Sequence, residues 1–174
     1  MEPAARACLE SDPALARVIG LVGPLTLKPR RRPPCESLVQ AIIHQQLSGR
    51  AAATILGRFR EQVGGGPFPG PEVILATPVE RLRAAGLSGS KAAYIQAVAR
   101  AAVEGTLPTL RACARLDNEE IIAALTAVKG IGRWTAEMFL IFNLGRPDVL
   151  PVLDLGVRRG FQVCLLYTSD AADE

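Results

Sequence analysis

From Asp117 to Phe142 the chain reads DNEEIIAALTAVKGIGRWTAEMFLIF. Asp117 and Glu120 stand at the two positions of a capping box in front of Ile121, Ile122, Leu125 and Val128, an apolar stripe at helical spacing. A second such stripe, Trp134, Met138, Ile141 and Phe142, follows the segment Lys129-Gly130-Ile131-Gly132-Arg133. Two helices joined through Gly-Ile-Gly make a helix-hairpin-helix. The glycines permit positive φ, so the bend can turn consecutive backbone N–H groups outward. With the N-terminus of the second helix, these groups form a positive concavity suited to a phosphate. Ile131 is expected to fill the space between the helices. Taken alone, Gly-x-Gly between helices is also what a plain helix–helix turn looks like.

Working outward, the same helical spacing recurs almost everywhere. Asp12-Pro13 opens a helix with Leu15, Val18, Ile19 and Val22 on one face, an N-cap followed by proline at the first position. Lys28-Pro29-Arg30-Arg31-Arg32-Pro33-Pro34 is a basic connector broken by prolines. Leu38, Val39, Ile42 and Ile43, then Ile55, Leu56, Phe59 and Val63, are two further stripes, with Gln45-Gln46-Leu47-Ser48-Gly49 as a tight polar turn between them. Gly64-Gly65-Gly66-Pro67 ends the second of these. Thr77 and Glu80 suggest another capping box, and Ser88 caps a longer helix with Tyr94, Ile95, Val98 and Val103. No segment alternates with period two for long enough to make a strand. The reading is all-α.

Composition narrows the chemistry. The 174 residues are 49% apolar and 21% charged, with Lys+Arg 20 against Asp+Glu 17. That length suits one core, or two small helical subdomains sharing one, with about two-thirds of the unfolded surface buried. No run approaches the ~20 apolar residues of a membrane span, and no secretion signal is visible at the N-terminus, so an intracellular, soluble protein is expected. One histidine, His44, argues against a His-based zinc site or a Ser-His-Asp triad. Cys8, Cys35, Cys113 and Cys164 have neither metal-ligand nor iron–sulfur spacing. The last residues, 164–174 (CLLYTSDAADE), differ in style from the rest and resemble the in-frame translation of a transposase sequencing adapter. An ordinary acidic tail is the other reading. Without the tail's Asp170, Asp173 and Glu174, 20 basic residues face 14 acidic ones, a net charge of +6 that favours a polyanionic partner.

Beyond the hairpin runs Arg146-Pro147-Asp148-Val149-Leu150-Pro151-Val152-Leu153-Asp154, then Leu155-Gly156-Val157-Arg158-Arg159-Gly160. A Gly/Pro-rich loop followed by one Asp at a helix start resembles the helix-hairpin-helix/Gly-Pro-Asp DNA glycosylase superfamily, and within it the bacterial 3-methyladenine DNA glycosylase II type. The resemblance covers nearly all of Asp12 to Phe161. It rests on Ala41 to Ser48, on Gly86-Leu87-Ser88 with Lys91 and Tyr94, on Val128 to Thr135, and on Pro151 to Gly160.

The resemblance implies a division into 1–35, an N-terminal helical segment of the second subdomain with the basic connector; 36–145, the central helical subdomain with its hairpin at 117–145; 146–163, the Gly/Pro-Asp loop and the start of the catalytic helix; and 164–174 as the tail. The second subdomain is expected to be incomplete, because relatives continue with further helices. Asp154 falls where the family keeps its catalytic carboxylate, an anion beside the oxocarbenium-like sugar that forms when an N-glycosidic bond breaks. It is also placed as an N-cap, and the two roles are compatible. Asp148, in the loop, fits turn formation.

Trp134 stands at the hairpin exit, where relatives with a lyase step carry a lysine. Hydrolysis alone is therefore expected, and Lys129 comes too early to substitute. An indole face there can stack on a flipped cationic base, worth about 0.5–2 kcal/mol of cation–π attraction; Trp134 as plain core is the other reading. Met138 and Leu155 complete the expected base pocket. The DNA-binding set is Gln45, Gln46, Leu47 and Ser48, one of which plugs the gap left by the flipped nucleotide, with Lys129, Gly130, Ile131, Gly132, Arg133 and Thr135 of the hairpin. For Leu47 a place in the core competes with that of a wedge. Arg50, Lys91 and Arg159 are further candidates for phosphate contact or ordinary surface charges.

No cofactor and no side-chain metal site are expected, though the resemblance implies a monovalent cation at hairpin carbonyls near Val128 and Gly130. The implied function is monofunctional excision of alkylated bases such as 3-methyladenine and 7-methylguanine from double-stranded DNA, in base excision repair, by a cytoplasmic monomer associated with the bacterial nucleoid, with no membrane and no obligate protein partner. The readings that compete with it are a non-enzymatic helix-hairpin-helix module, an inactive fragment of such an enzyme, and a glycosylase for oxidised or deaminated bases.

Overall fold

The computed structural model describes residues 3–24 and 26–164, all helix and connection, with no strand among them. Residues 165–174, most of the segment read as adapter translation, lie outside the described residues. The helices are α1 (Pro3–Glu10), α2 (Pro13–Val22), α3 (Pro34–His44), α4 (Gly49–Phe59), α5 (Pro71–Ala76), α6 (Val79–Ala84), α7 (Gly89–Val103), α8 (Leu110–Cys113), α9 (Asn118–Thr126), α10 (Arg133–Phe139) and α11 (Leu155–Cys164). Both α4 and α10 finish in a wide π-type turn, Arg60–Gly64 and Leu140–Leu144, each closed by a left-handed glycine, Gly65 or Gly145.

One core runs from Cys35 to Leu140. The stripe of α3 sits at its centre: Leu38, Val39, Ile42 and Ile43 are buried completely or almost so, together with Ile95 and Val98 of α7 and Ile121 and Leu125 of α9. Each such side chain contributes about 1.5–3 kcal/mol by leaving water. The α3 helix packs on α4, α7 and α10, so the hairpin is anchored on the central stripe. By contrast, α1 and α2 bury no residue in that core; they pack on each other, and α2 also meets α11.

Local signals behave as capping chemistry requires. Asp12 accepts from Ala14 and Leu15 N–H at 2.8 and 3.0 Å. Ser88 Oγ accepts from Lys91 N–H at 3.2 Å. Asp117 and Glu120 form the reciprocal capping box, both bonds 2.8 Å. The expected box at Thr77 and Glu80 does not form. Thr77 ends α5 instead, its hydroxyl donating to Val73 O at 2.7 Å, and the next helix starts after Pro78 without a side-chain cap.

The basic connector is held as a strap along the π-type turn that ends α10. Arg30 N–H donates to Phe142 O at 3.0 Å and Arg31 N–H to Asn143 O at 3.1 Å. The Asn143 side chain, 1% exposed, accepts from Arg32 N–H at 3.0 Å and donates to Arg32 O at 2.9 Å. A buried amide whose partners lie inside the protein fixes this strap firmly.

Candidate active site and nucleic-acid interface

The hairpin is built as its sequence suggests, with one difference. Gly130 has φ +94° and packs against Tyr94 of α7 so closely that an added Cβ would lie 2.7 Å from the Tyr94 Cβ. Ile131 is buried between the two helices, its N–H donating to Val128 O at 3.1 Å. The sequence reading extends the positive φ to Gly132. Instead this residue is extended (φ −92°, ψ 166°), with nothing within 4 Å of an added Cβ. Its backbone needs no glycine; the space in front of it is simply open. Among the described residues, the N–H groups of Gly132, Arg133, Trp134 and Thr135 make no hydrogen bond, so four donors fan out at the start of α10.

The hairpin side chains divide differently. Arg133 donates to both oxygens of Glu119, at 3.0 and 2.6 Å, and through Nε to Glu137 at 3.0 Å. Its guanidinium ties α9 to α10 with three of its five N–H donors, while its backbone N–H stays unpaired. The Thr135 side chain is buried and Lys129 is exposed. Among the described residues no group of three or more His, Cys, Asp or Glu could hold a metal. The Val128 carbonyl, one of the two suggested for a monovalent cation, already accepts from Ile131 N–H and keeps one lone pair for any further partner.

Asp154 caps α11. Its Oδ1 accepts from Val157 N–H at 2.8 Å, while Oδ2 accepts from the indole Nε1–H of Trp134, also at 2.8 Å. The Val157 amide, then the Trp134 indole and the Gly156 amide, hold the carboxyl below the ordinary aspartate range against an opposing desolvation effect. Asp154 therefore keeps its charge to lower pH than a free aspartate does. Trp134 is 45% exposed, so it is not core.

The indole also lines a groove of about 390 Å³ between α3, α10 and the strap, within the size range of small-molecule sites. Met138 lines it as expected. Leu155 does not: it is 61% exposed on α11 and outside the groove wall. The rest of the lining includes Ala41 and His44 of α3, Phe142 of the π-type turn, and Arg30 and Arg32 of the strap, none of them assigned to the base pocket from sequence. Arg32 is tied to Gln40 and Glu36.

The turn after α3 presents Gln46 and Leu47 to solvent, with Leu47 39% exposed and Gln46 left-handed at φ +56°. Leu47 is therefore not core. Gln45 is half-buried, and Ser48 caps α4 by accepting from Ala51 N–H at 3.4 Å. Lys91, a candidate surface cation, reaches back to this turn instead.

A fan of unpaired amides in a helix-hairpin-helix, beside an ionised Asp at the start of another helix, defines the class of helix-hairpin-helix proteins with a Gly/Pro-Asp loop. The chain belongs to the HhH-GPD superfamily of base excision DNA repair proteins, whose family pattern matches residues 39–174. It is 43% identical over 150 residues to DNA-3-methyladenine glycosylase 1 of Schizosaccharomyces pombe, covering 84% of this chain and 65% of that protein. The structure of the 3-methyladenine DNA glycosylase of the same yeast in complex with abasic DNA superposes with a TM-score of 0.79 at 40% identity, over 91% of this chain and 78% of the other. The DNA-3-methyladenine glycosidase of Bacillus halodurans gives a TM-score of 0.84 at 39% identity, over 94% of this chain and 74% of the other. The chain spans just under two-thirds of the first yeast protein and half of DNA-3-methyladenine glycosylase 2 of Escherichia coli.

Proposed function

We propose that the chain is a monofunctional DNA glycosylase that excises alkylated bases, 3-methyladenine and 7-methylguanine among them, from double-stranded DNA. The hydrogen bond of 2.8 Å between Trp134 and Asp154 carries this reading, because it joins the carboxylate to the side chain that lines the groove. In it, the hairpin amides from Gly132 to Thr135 grip the backbone without reading sequence, and the Gln45–Ser48 turn enters the gap left by the extruded nucleotide. The base lies in the groove against Trp134 and Met138, and Asp154 stabilises the positive charge on the sugar. Water adds to the anomeric carbon and loses a proton to solvent, while the electron pair of the broken bond leaves with the base, which departs neutral. A cationic base departs readily, which suits a site with one carboxylate and no catalytic histidine. The hairpin exit holds Trp134, not an amine, so no strand cleavage follows. The names of the relatives support the alkylated-base class, and the protein acts as a monomer.

On this reading, duplex treated with a methylating agent releases its methylated purines, whereas uracil- and 8-oxoguanine-containing duplexes do not. Release of the latter two alone would reassign the substrate. A second reading, a DNA-binding module without chemistry, is favoured by one observation: Leu155, Phe161 and Val163 on the Asp-bearing α11 are 61, 44 and 76% exposed. It predicts binding with no release from any of the three.

Trp134→Phe keeps the aromatic wall and removes the N–H donated to Asp154. Base release is expected to fall about three- to tenfold. With one stabiliser of the anion gone, the carboxyl pKa rises, so the pH below which activity is lost moves up. A pH–rate profile of both proteins checks it.

A further inference from the structure

We infer that Lys91 is a positioning residue for the DNA-penetrating turn, a clamp that holds Gln45–Ser48 in shape, with Gln46 left-handed, before DNA arrives. This inference rests on the reading of that turn given above. Nζ of Lys91 donates to Ile43 O at 2.9 Å and to Gln45 O at 2.7 Å, one carbonyl in the last turn of α3 and the other immediately after it. These two carbonyls lie 48 and 46 residues away in sequence, so the link is tertiary and not a local cap. The lysine itself is fixed: it occupies the first turn of α7, with its N–H on Ser88 Oγ at 3.2 Å.

The residue that follows the clamped carbonyl is strained. Gln46 holds φ +56°, a region in which an L side chain is disfavoured, and such conformations persist only where their surroundings dictate them. Two charge-assisted hydrogen bonds onto the backbone just before it supply that constraint. Partial burial lowers the pKa of Lys91 from 10.5, in keeping with an ammonium held between elements and not one offered to solvent. Two of the three ammonium hydrogens are committed to these carbonyls, so a phosphate could claim only the third without breaking the clamp. Ordering the turn in advance spares the cost of ordering it on the DNA.

The test compares Lys91→Met, Lys91→Arg and Leu47→Ala with the parent on three duplexes: intact, carrying a stable abasic-site analogue, and carrying 2-aminopurine beside that analogue. Lys91→Met is expected to bind intact duplex within about twofold of the parent, through the unaltered hairpin. Its preference for the abasic duplex is expected to fall about tenfold, in line with loss of a charge-assisted bond. The 2-aminopurine signal should fall with it, and Lys91→Arg, which keeps a cationic donor, should recover most of both. Lys91→Gln takes over the comparison if Lys91→Met does not fold.

An equal loss on intact and abasic duplex would make Lys91 a phosphate contact and overturn the inference. So would an unchanged preference in Lys91→Met alongside a lost one in Leu47→Ala. If Leu47→Ala also keeps its preference, the assignment of the turn is itself wrong, and the inference falls with it.

Discussion

Asp154→Asn is expected to lower base release from methylated duplex about 10³-fold, with duplex affinity within about twofold of the parent. The substitution is nearly isosteric. The side-chain amide that replaces the carboxylate can still present an oxygen to Val157 N–H, so the start of α11 keeps its cap. What disappears is the negative charge that the proposed mechanism sets beside the sugar, a charge that the Val157 amide, the Trp134 indole and the Gly156 amide favour. Hairpin binding does not involve this side chain. Single-turnover release and a gel-shift titration on the same preparation separate the two quantities. Unchanged release would remove Asp154 from the chemistry, and a parallel loss of binding would make it a DNA contact.

Gly130→Ala is expected to cost about 3 kcal/mol of stability and about 10 °C in Tm. Two penalties coincide there. The backbone sits at φ +94°, unfavourable to an L residue, and the new methyl would stand 2.7 Å from both Cβ and Cδ2 of Tyr94. Those atoms lie near the α7 backbone, so the clash cannot be relieved by swinging a side-chain tip. Gly132→Ala is the control. Its backbone is extended with open space around it, so its Tm should change little, at most about 1 kcal/mol as an N-cap change. The methyl would nevertheless occupy the face presented to a phosphate. Thermal melts of the pair, read beside duplex affinity, distinguish a glycine kept for packing from one kept for access.

These two glycines also mark how far a linear reading reaches. Caps and bends depend on neighbours within four residues, and Asp12, Ser88, Asp117 and Ile131 are legible for that reason. Thr77 misleads because a hydroxyl can end a helix as well as start one, and the α5 turn that claims it has too few residues for a visible period. The short α1 and α8 escape notice on the same ground. Asp154 and Trp134 are each found by their places in motifs, but their mutual hydrogen bond spans 20 residues and leaves no pattern. The groove is only half legible: Trp134 and Met138 lie on one helix face, whereas His44 and Arg30 arrive from elements that only the packed core brings near. Leu155 is misplaced because adjacency to Asp154 in the chain does not carry its side chain across to α3. Lys91 looks like a surface cation, since nothing local announces the carbonyls that hold it; of the two carboxylates on Arg133, Glu137 lies four residues on along the same helix, whereas Glu119 leaves no local sign.

The strap pinned by Asn143 has a bearing on biosynthesis. Its anchor lies 111 residues downstream of Arg32, so a nascent chain translated as far as Leu140 has the residues of its central core yet lacks the amide that seats Arg32 and the carbonyls that receive Arg30 and Arg31. The cleft is therefore closed only when residues 142 and 143 follow the last fully buried core residue, Leu140, out of the ribosome. A chain interrupted before that point would have the hairpin's fan of donors in place with no finished wall opposite the indole.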